Sequence, residues 1–123
     1  MSEKSKKLGA RGEEIAADFL KKNKYKILCR NYRCAFGEID IIAQHKKTLS
    51  FVEVKTRSTS LYGTPQESVR KKKQDTMCRV AMEFIQRYNL EDRDARFDVV
   101  AIRLSPDGYR VDLIKNAFDL SIT

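Results

Sequence analysis

Asp40, Glu53 and Lys55 are charged residues set into two apolar runs, Glu38-Ile39-Asp40-Ile41-Ile42-Ala43 and Leu49-Ser50-Phe51-Val52-Glu53-Val54-Lys55. Side chains alternate across a strand, so Leu49, Phe51, Glu53 and Lys55 share one face of the second run, and Val52 and Val54 the other. Apolar residues on both faces mark a covered, central strand. A carboxylate and an ammonium placed there are costly unless they are paired or bound to a metal. In the first run Glu38 and Asp40 form the polar phase, with Ile39, Ile41 and Ala43 on the opposite face. A hairpin through residues 45–47 sets Asp40 across from Glu53. Two carboxylates so close raise each other's proton affinity unless a divalent cation lies between them.

Oxygen ligands with an open coordination position suit Mg2+ or Mn2+. A cation held there could polarise a phosphodiester, stabilise the charge of its transition state and lower the pKa of an attacking water. Lys55 would hold that water or neutralise the developing charge. The plainer alternative is a salt bridge between Lys55 and one acid, with the other at a strand edge. An Asp, a spacer of twelve residues and then Glu-x-Lys on a central strand favours the metal.

The elements that must position these groups follow from the periodicity. Residues 3–23 form a helix with Leu8, Gly12, Ile15, Ala16, Phe19 and Leu20 on one apolar arc. Three strands come next, at 25–32, 38–44 and 48–56, with Gly37 and residues 45–47 as turns. Thr64-Pro65-Gln66-Glu67 opens a second helix with a capping Thr, Pro at the first helical position and Glu at the third. That helix is expected to run to about Tyr88. Two more strands, at 96–104 and 109–114, flank a Ser105-Pro106-Asp107-Gly108 turn. The order αβββαββ places helices against one mixed sheet of about five strands, an α/β sandwich within a single domain spanning 1–123.

Both helices carry polar residues where an apolar arc meets the sheet. On the second, Val69, Met77, Val80, Ala81, Phe84 and Tyr88 share an arc with Gln66, Arg70 and Lys73. The start of this helix thus leans over the acids and presents Lys73, with Gln66 and Arg70, to a phosphate. Equally, Lys73 could snorkel to the rim with its stem over the core. On the first helix Glu13 borders the apolar arc, where an ordinary exposed glutamate near a helix start is the simpler assignment. Gly9 and Gly12 lower helix propensity, which points to close packing against the sheet or to something bound there.

A net charge of +8, from 25 Lys and Arg against 17 Asp and Glu, favours polyanionic partners, since neutralising phosphates releases condensed counterions. Cys29, Cys34 and Cys78 are an odd number without a C-x-x-C pair, and His45 is the single histidine, so neither a disulfide framework nor a zinc site is expected. No apolar run reaches the roughly 20 residues of a membrane span, and residues 1–14 lack a signal peptide's apolar stretch. A cytoplasmic protein with no membrane association is therefore expected.

The runs Gly37-Glu38-Ile39-Asp40-Ile41-Ile42, Phe51-Val52-Glu53-Val54-Lys55-Thr56-Arg57 and Arg96-Phe97-Asp98-Val99-Val100, with Gly9-x-x-Gly12-Glu13 before them, resemble the YraN-like bacterial family across almost the whole chain. The resemblance implies a restriction-endonuclease-like fold of the PD-(D/E)XK superfamily, similar to archaeal Holliday-junction resolvases. It makes Glu13 an accessory acid that supports the metal, Asp40 the metal-binding aspartate, and Glu53 and Lys55 the E-x-K pair. Ile39 stands where the superfamily name has proline, which removes no ligand. The expected activity is a divalent-metal-dependent endonuclease acting on DNA ahead of RNA, on branched or damaged DNA in recombination or repair. Arg30, Arg33, Arg57 and Lys73 are the expected phosphate contacts, Lys73 and Arg57 foremost. Junction cleavage would favour a two-fold homodimer. The rival is a non-catalytic nucleic-acid-binding module, or an adaptor, that keeps the nuclease fold.

Overall fold

The computed structural model describes residues 3–57 and 71–118, with side chains in the first helix from Gly9 onward. The elements run α1 (Glu3–Lys22), β1 (Tyr25–Cys34), β2 (Gly37–His45), β3 (Thr48–Arg57), α2 (Lys71–Arg87), β4 (Asp94–Ser105) and β5 (Gly108–Phe118). The strands form one sheet in the order β1-β2-β3-β4-β5, antiparallel throughout except for the parallel pair β3–β4, which α2 connects. This is the expected mixed α/β sheet with helices, consistent with a restriction-endonuclease-like fold.

Each face of the sheet has its own apolar layer. Ala16, Ala17 and Leu20 of α1 pack with Tyr25, Ile41, Ala43, Val52, Val100 and Ile102. Met77, Cys78, Val80, Ala81, Phe84 and Ile85 of α2 pack with Tyr32, Ile39, Ile42, Leu49, Phe51, Phe97 and Val99. Val52 and Phe51 thus reach opposite layers, as a central strand covered on both sides requires. None of the described helices is long and apolar enough to cross a membrane.

Turns and caps set the boundaries. Two-residue turns at Ala35-Phe36, Lys46-Lys47 and Pro106-Asp107 join β1 to β2, β2 to β3 and β4 to β5, so His45 and Gly37 lie in strands rather than in turns. Gly37, at φ +147°, would place a Cβ only 2.6 Å from Thr76 of α2, so no side chain fits. Asn89 ends α2 in the left-handed region at φ 55°. The Asn89 amide donates to Gln86 and the Leu90 amide to Ile85, the paired bonds of a Schellman cap, while Leu90 packs back on the core. This cap overturns the placement of Tyr88 on the buried arc: the helix stops before it, and Tyr88 is 51% exposed. Its ring covers the edge of Phe84 at 4.8 Å instead. Val69 and the Thr64-Pro65 cap, on which the expected start of that helix rests, lie outside the described residues, as does the side chain of Leu8.

The sheet end that receives the chain from the β2–β3 turn is closed by a polar network. Asp98 is fully buried and accepts hydrogen bonds from Ser50 Oγ, from Arg96 Nε at 3.0 Å and from the Asn116 amide at 2.9 Å. Arg96 in turn reaches Tyr25 Oη at 2.7 Å and His45 Nδ1 at 3.2 Å, and the Tyr25 and His45 rings stack at 4.4 Å. A buried charge so fully engaged is tolerated, whereas removing one partner of such a pair typically costs about 3–5 kcal/mol.

Candidate active site

Asp40 sits where strands β2 and β3 part. Their ladder runs from His45↔Thr48 to Ile41↔Val52 and stops there. One residue further on, Asp40 Oδ2 accepts the Val54 amide at 2.8 Å, so a carboxylate takes the place of a backbone carbonyl. Strict alternation fails at this point. Ile41 belongs to the layer under α1 but Ile39 to the layer under α2, so the expectation that they share a face is corrected. The neighbouring strand breaks step with it: Arg30 pairs with Ile41 and Tyr32 with Ile39, and Asn31 between them adopts φ 53°. A left-handed residue inside a strand rotates the residues after it, so both strands change phase together. Asp40 consequently influences groups on both sides of the sheet.

On the α2 side lies Glu53, 6% exposed and in phase with Phe51 as expected. Its proton affinity is pushed up to about 7, first by burial, then by hydrogen bonding to Asp40 and by the Asp40 charge; Lys73 and, more weakly, Lys55 oppose this. Lys73 Nζ, from the first turn of the described α2, stands 3.3 Å from Glu53 Oε2. The approach is an ion pair without hydrogen-bond alignment, and among the described residues Glu53 Oε2 has no hydrogen-bond partner. The partner of the buried acid is therefore Lys73, where the sequence offered Lys55 as the simple salt-bridge partner. Lys55 is half-buried one step along the same face.

On the α1 side lies Glu13. Burial raises its proton affinity first and the Asp40 charge second, while a hydrogen bond from Asn31 lowers it. α1 lies this near because Gly12 is buried against Thr56 of β3: a Cβ at Gly12 would fall 1.8 Å from Thr56 Oγ1. Among the described residues Gly9 has nothing within 4 Å of such a Cβ, so there the close packing inferred for both glycines belongs to Gly12.

Of the expected phosphate contacts, Arg57 is exposed at the end of β3, on the same strand as Glu53 and Lys55. Arg30 is instead paired with Glu14 of α1 at 2.7 Å, and Arg33 with Glu38 across the β1–β2 ladder. Gln66 and Arg70 lie outside the described residues. Asn31 and the Asp98 network do not stand out from the polarity pattern. An asparagine within an otherwise β-like run is the one signal for Asn31, because asparagine is depleted in strands and tolerates left-handed backbone.

The donor set is all oxygen, and it is a pair rather than a cage: among the described residues no three His, Cys, Asp or Glu side chains gather closely enough to hold an ion by themselves. Magnesium is commonly bound by one or two carboxylates, with water and substrate oxygens completing its shell. An adjoining carboxylate pair with a buried oxygen on Glu53 that has no hydrogen-bond partner among the described residues fits such an ion. Cys29, Cys34 and Cys78 form no disulfide.

The family model described as "Uncharacterised protein family UPF0102" matches residues 12–102. A UPF0102 protein of Geobacter sulfurreducens is 49% identical over 121 residues, covering 98% of this chain and 94% of its own. One of Syntrophus aciditrophicus is 48% identical over 113 residues, with 92% and 89% covered. One of Alkaliphilus oremlandii is 46% identical over 116 residues, with 93% and 99% covered.

Proposed function

The chain belongs to the uncharacterised protein family UPF0102, the YraN family read from its motifs, and from that premise we propose that it is a divalent-metal-dependent endonuclease acting on DNA. The observation that carries this reading is the buried Glu53 set against the half-buried Asp40 at the parting of β2 and β3, with the proton affinity of Glu53 raised to about 7. A fold gains nothing from setting a second acid against a buried one, because like charges make ionisation harder. Strongly perturbed acids in such a position are characteristic of functional sites.

Asp40 and Glu53 would hold Mg2+ or Mn2+, and Glu13 would support it from α1. Bound there, the cation supplies Lewis-acid polarisation of a phosphodiester and offsets the negative charge of the transition state. The Val54 amide fixes the orientation of Asp40, so this acid is set before any ligand arrives. Lys55 acts on the attacking water or on the charge that develops at the phosphate. Arg57 and the net charge of +8 draw the polyanion to this end of β3. Branched or damaged DNA, with RNA as the less favoured substrate, remains the expected class.

The test is a nuclease panel of four-way junctions, flaps, duplex and single strands of DNA and RNA, with Mg2+ and Mn2+, run beside Mn2+ calorimetry. Mn2+ should bind the native protein and bind neither Asp40→Asn nor Glu53→Gln, and cleavage should vanish with it. Unchanged Mn2+ affinity in both variants would remove these acids from the site. Nucleic-acid binding with no cleavage under any condition would favour the non-catalytic module or adaptor.

A further inference from the structure

Among the described residues Lys73 is the cationic group that forms an ion pair with Glu53, at the oxygen that has no hydrogen-bond partner there, and it comes from a different element than the acids it neutralises. It stands 3.3 Å from Glu53 Oε2, its side chain is 40% exposed, and its charge acts on Glu53 more strongly than that of Lys55. An ammonium and a divalent cation cannot both occupy the space against one carboxylate oxygen without strong repulsion. Lysine is a flexible four-carbon stem carrying a point charge, and its donors can turn from one acceptor to another within the same small region.

We propose that Lys73 is a transferable counter-ion: it neutralises Glu53 in the metal-free protein, is released when a divalent cation binds, and then engages a phosphate of the nucleic acid. This rests on the nuclease reading of the same site. Metal binding and nucleic-acid binding become coupled through one side chain, and the coupling is reciprocal, so nucleic acid also tightens the metal. Lys73 is a positioning residue in this scheme, not one that handles the reacting atoms. Two simpler roles give different outcomes. A permanent phosphate contact would serve with and without metal, and a purely structural ion pair would serve in neither state.

The experiment measures affinity for a labelled duplex DNA at several salt concentrations, in EDTA and in Mn2+. All proteins carry Lys55→Ala so that the DNA survives the measurement, and Mn2+ binding to the parent is established first by calorimetry. In EDTA, Lys73→Met should leave both the affinity and the salt slope within error of the parent. In Mn2+ the same substitution should weaken binding several-fold and reduce the magnitude of the log–log salt slope by about 0.9, one phosphate contact. Lys73→Arg should restore most of that slope. An equal loss of slope in both conditions, or no loss in either, overturns the proposal while leaving the nuclease reading intact. A parent that binds no Mn2+ overturns the nuclease reading itself, and the transfer with it.

Discussion

Asp40 is the residue on which two elements of the site depend, and its charge is paid for in stability. The proton affinity of Glu53 lies at about 7 in the folded protein, against 4.5 for an ordinary glutamate. Between those values the folded chain holds a proton that the unfolded chain has released. Stability therefore falls as pH rises from about 4.5 to about 7, and levels off above. Asp40→Asn removes the charge that drives part of this shift, while its amide oxygen can still accept the Val54 amide. The variant should be more stable than the parent at pH 8, by about 1–2 kcal/mol, and should lose less stability between pH 5 and 7. Denaturant midpoints across that range check both statements; parallel curves for the two proteins would show that Asp40 does not act on Glu53. The acids themselves were legible because charge inside an apolar strand is costly. Their true counter-ion was not: Lys73 is twenty residues from Glu53 in sequence, and only the packing of α2 brings it to 3.3 Å.

Among the elements, α1 shows how one helix can hold two glycines for unlike reasons. Gly12 lets the helix press onto β3 beside the site, whereas Gly9 meets none of the described residues. Gly9→Ala should therefore stabilise the protein by up to about 1 kcal/mol through helix propensity and a less disordered unfolded chain. Gly12→Ala should destabilise it by about 1–3 kcal/mol, because a Cβ 1.8 Å from Thr56 Oγ1 forces helix and strand apart. Thr56→Ala should recover part of that loss, since the two positions share one contact. Thermal or denaturant unfolding of the three single variants and the Gly12→Ala/Thr56→Ala double variant decides it, and equal signs at Gly9 and Gly12 would refute the contact. Periodicity located this helix and all five strands, with strand ends matched at Tyr25 and Thr48 and one to four residues short elsewhere. It failed at Ile39, where Asn31 and Asp40 shift the phase of two paired strands together, and at Tyr88, where the Asn89 cap ends the helix early. Both failures come from single backbone conformations that a repeating pattern of polarity does not encode.

At the scale of the whole molecule, the sheet combines three adjacent-strand hairpins with one distant pairing. β1–β2, β2–β3 and β4–β5 each close around a two-residue turn, while the parallel pair aligns Thr48 with Asp94 across α2. The order αβββαββ implied a mixed sheet without saying which strands pair in parallel, and the buried Asp98 and Ser50 and the half-buried Arg96 on the two strands that α2 joins were visible only as isolated polar residues. The two-residue turn at Lys46-Lys47 has a consequence in time. Asp40 and Glu53 belong to a single hairpin and can meet as soon as it zips, whereas Lys73 arrives only when α2 docks. Loop closure over long separations comes late and at greater entropic cost. The folding chain would therefore bring its two acids together before their counter-charge is in place, and that repulsion would stand at the barrier. Asp40→Asn should then show itself mainly as faster refolding, and Lys73→Met mainly as faster unfolding, in stopped-flow chevrons. Effects of both substitutions on the same limb would mean that acids and lysine assemble in one step. Otherwise the nascent hairpin, ahead of the finished protein, is the first state of this chain with reason to seek a divalent cation.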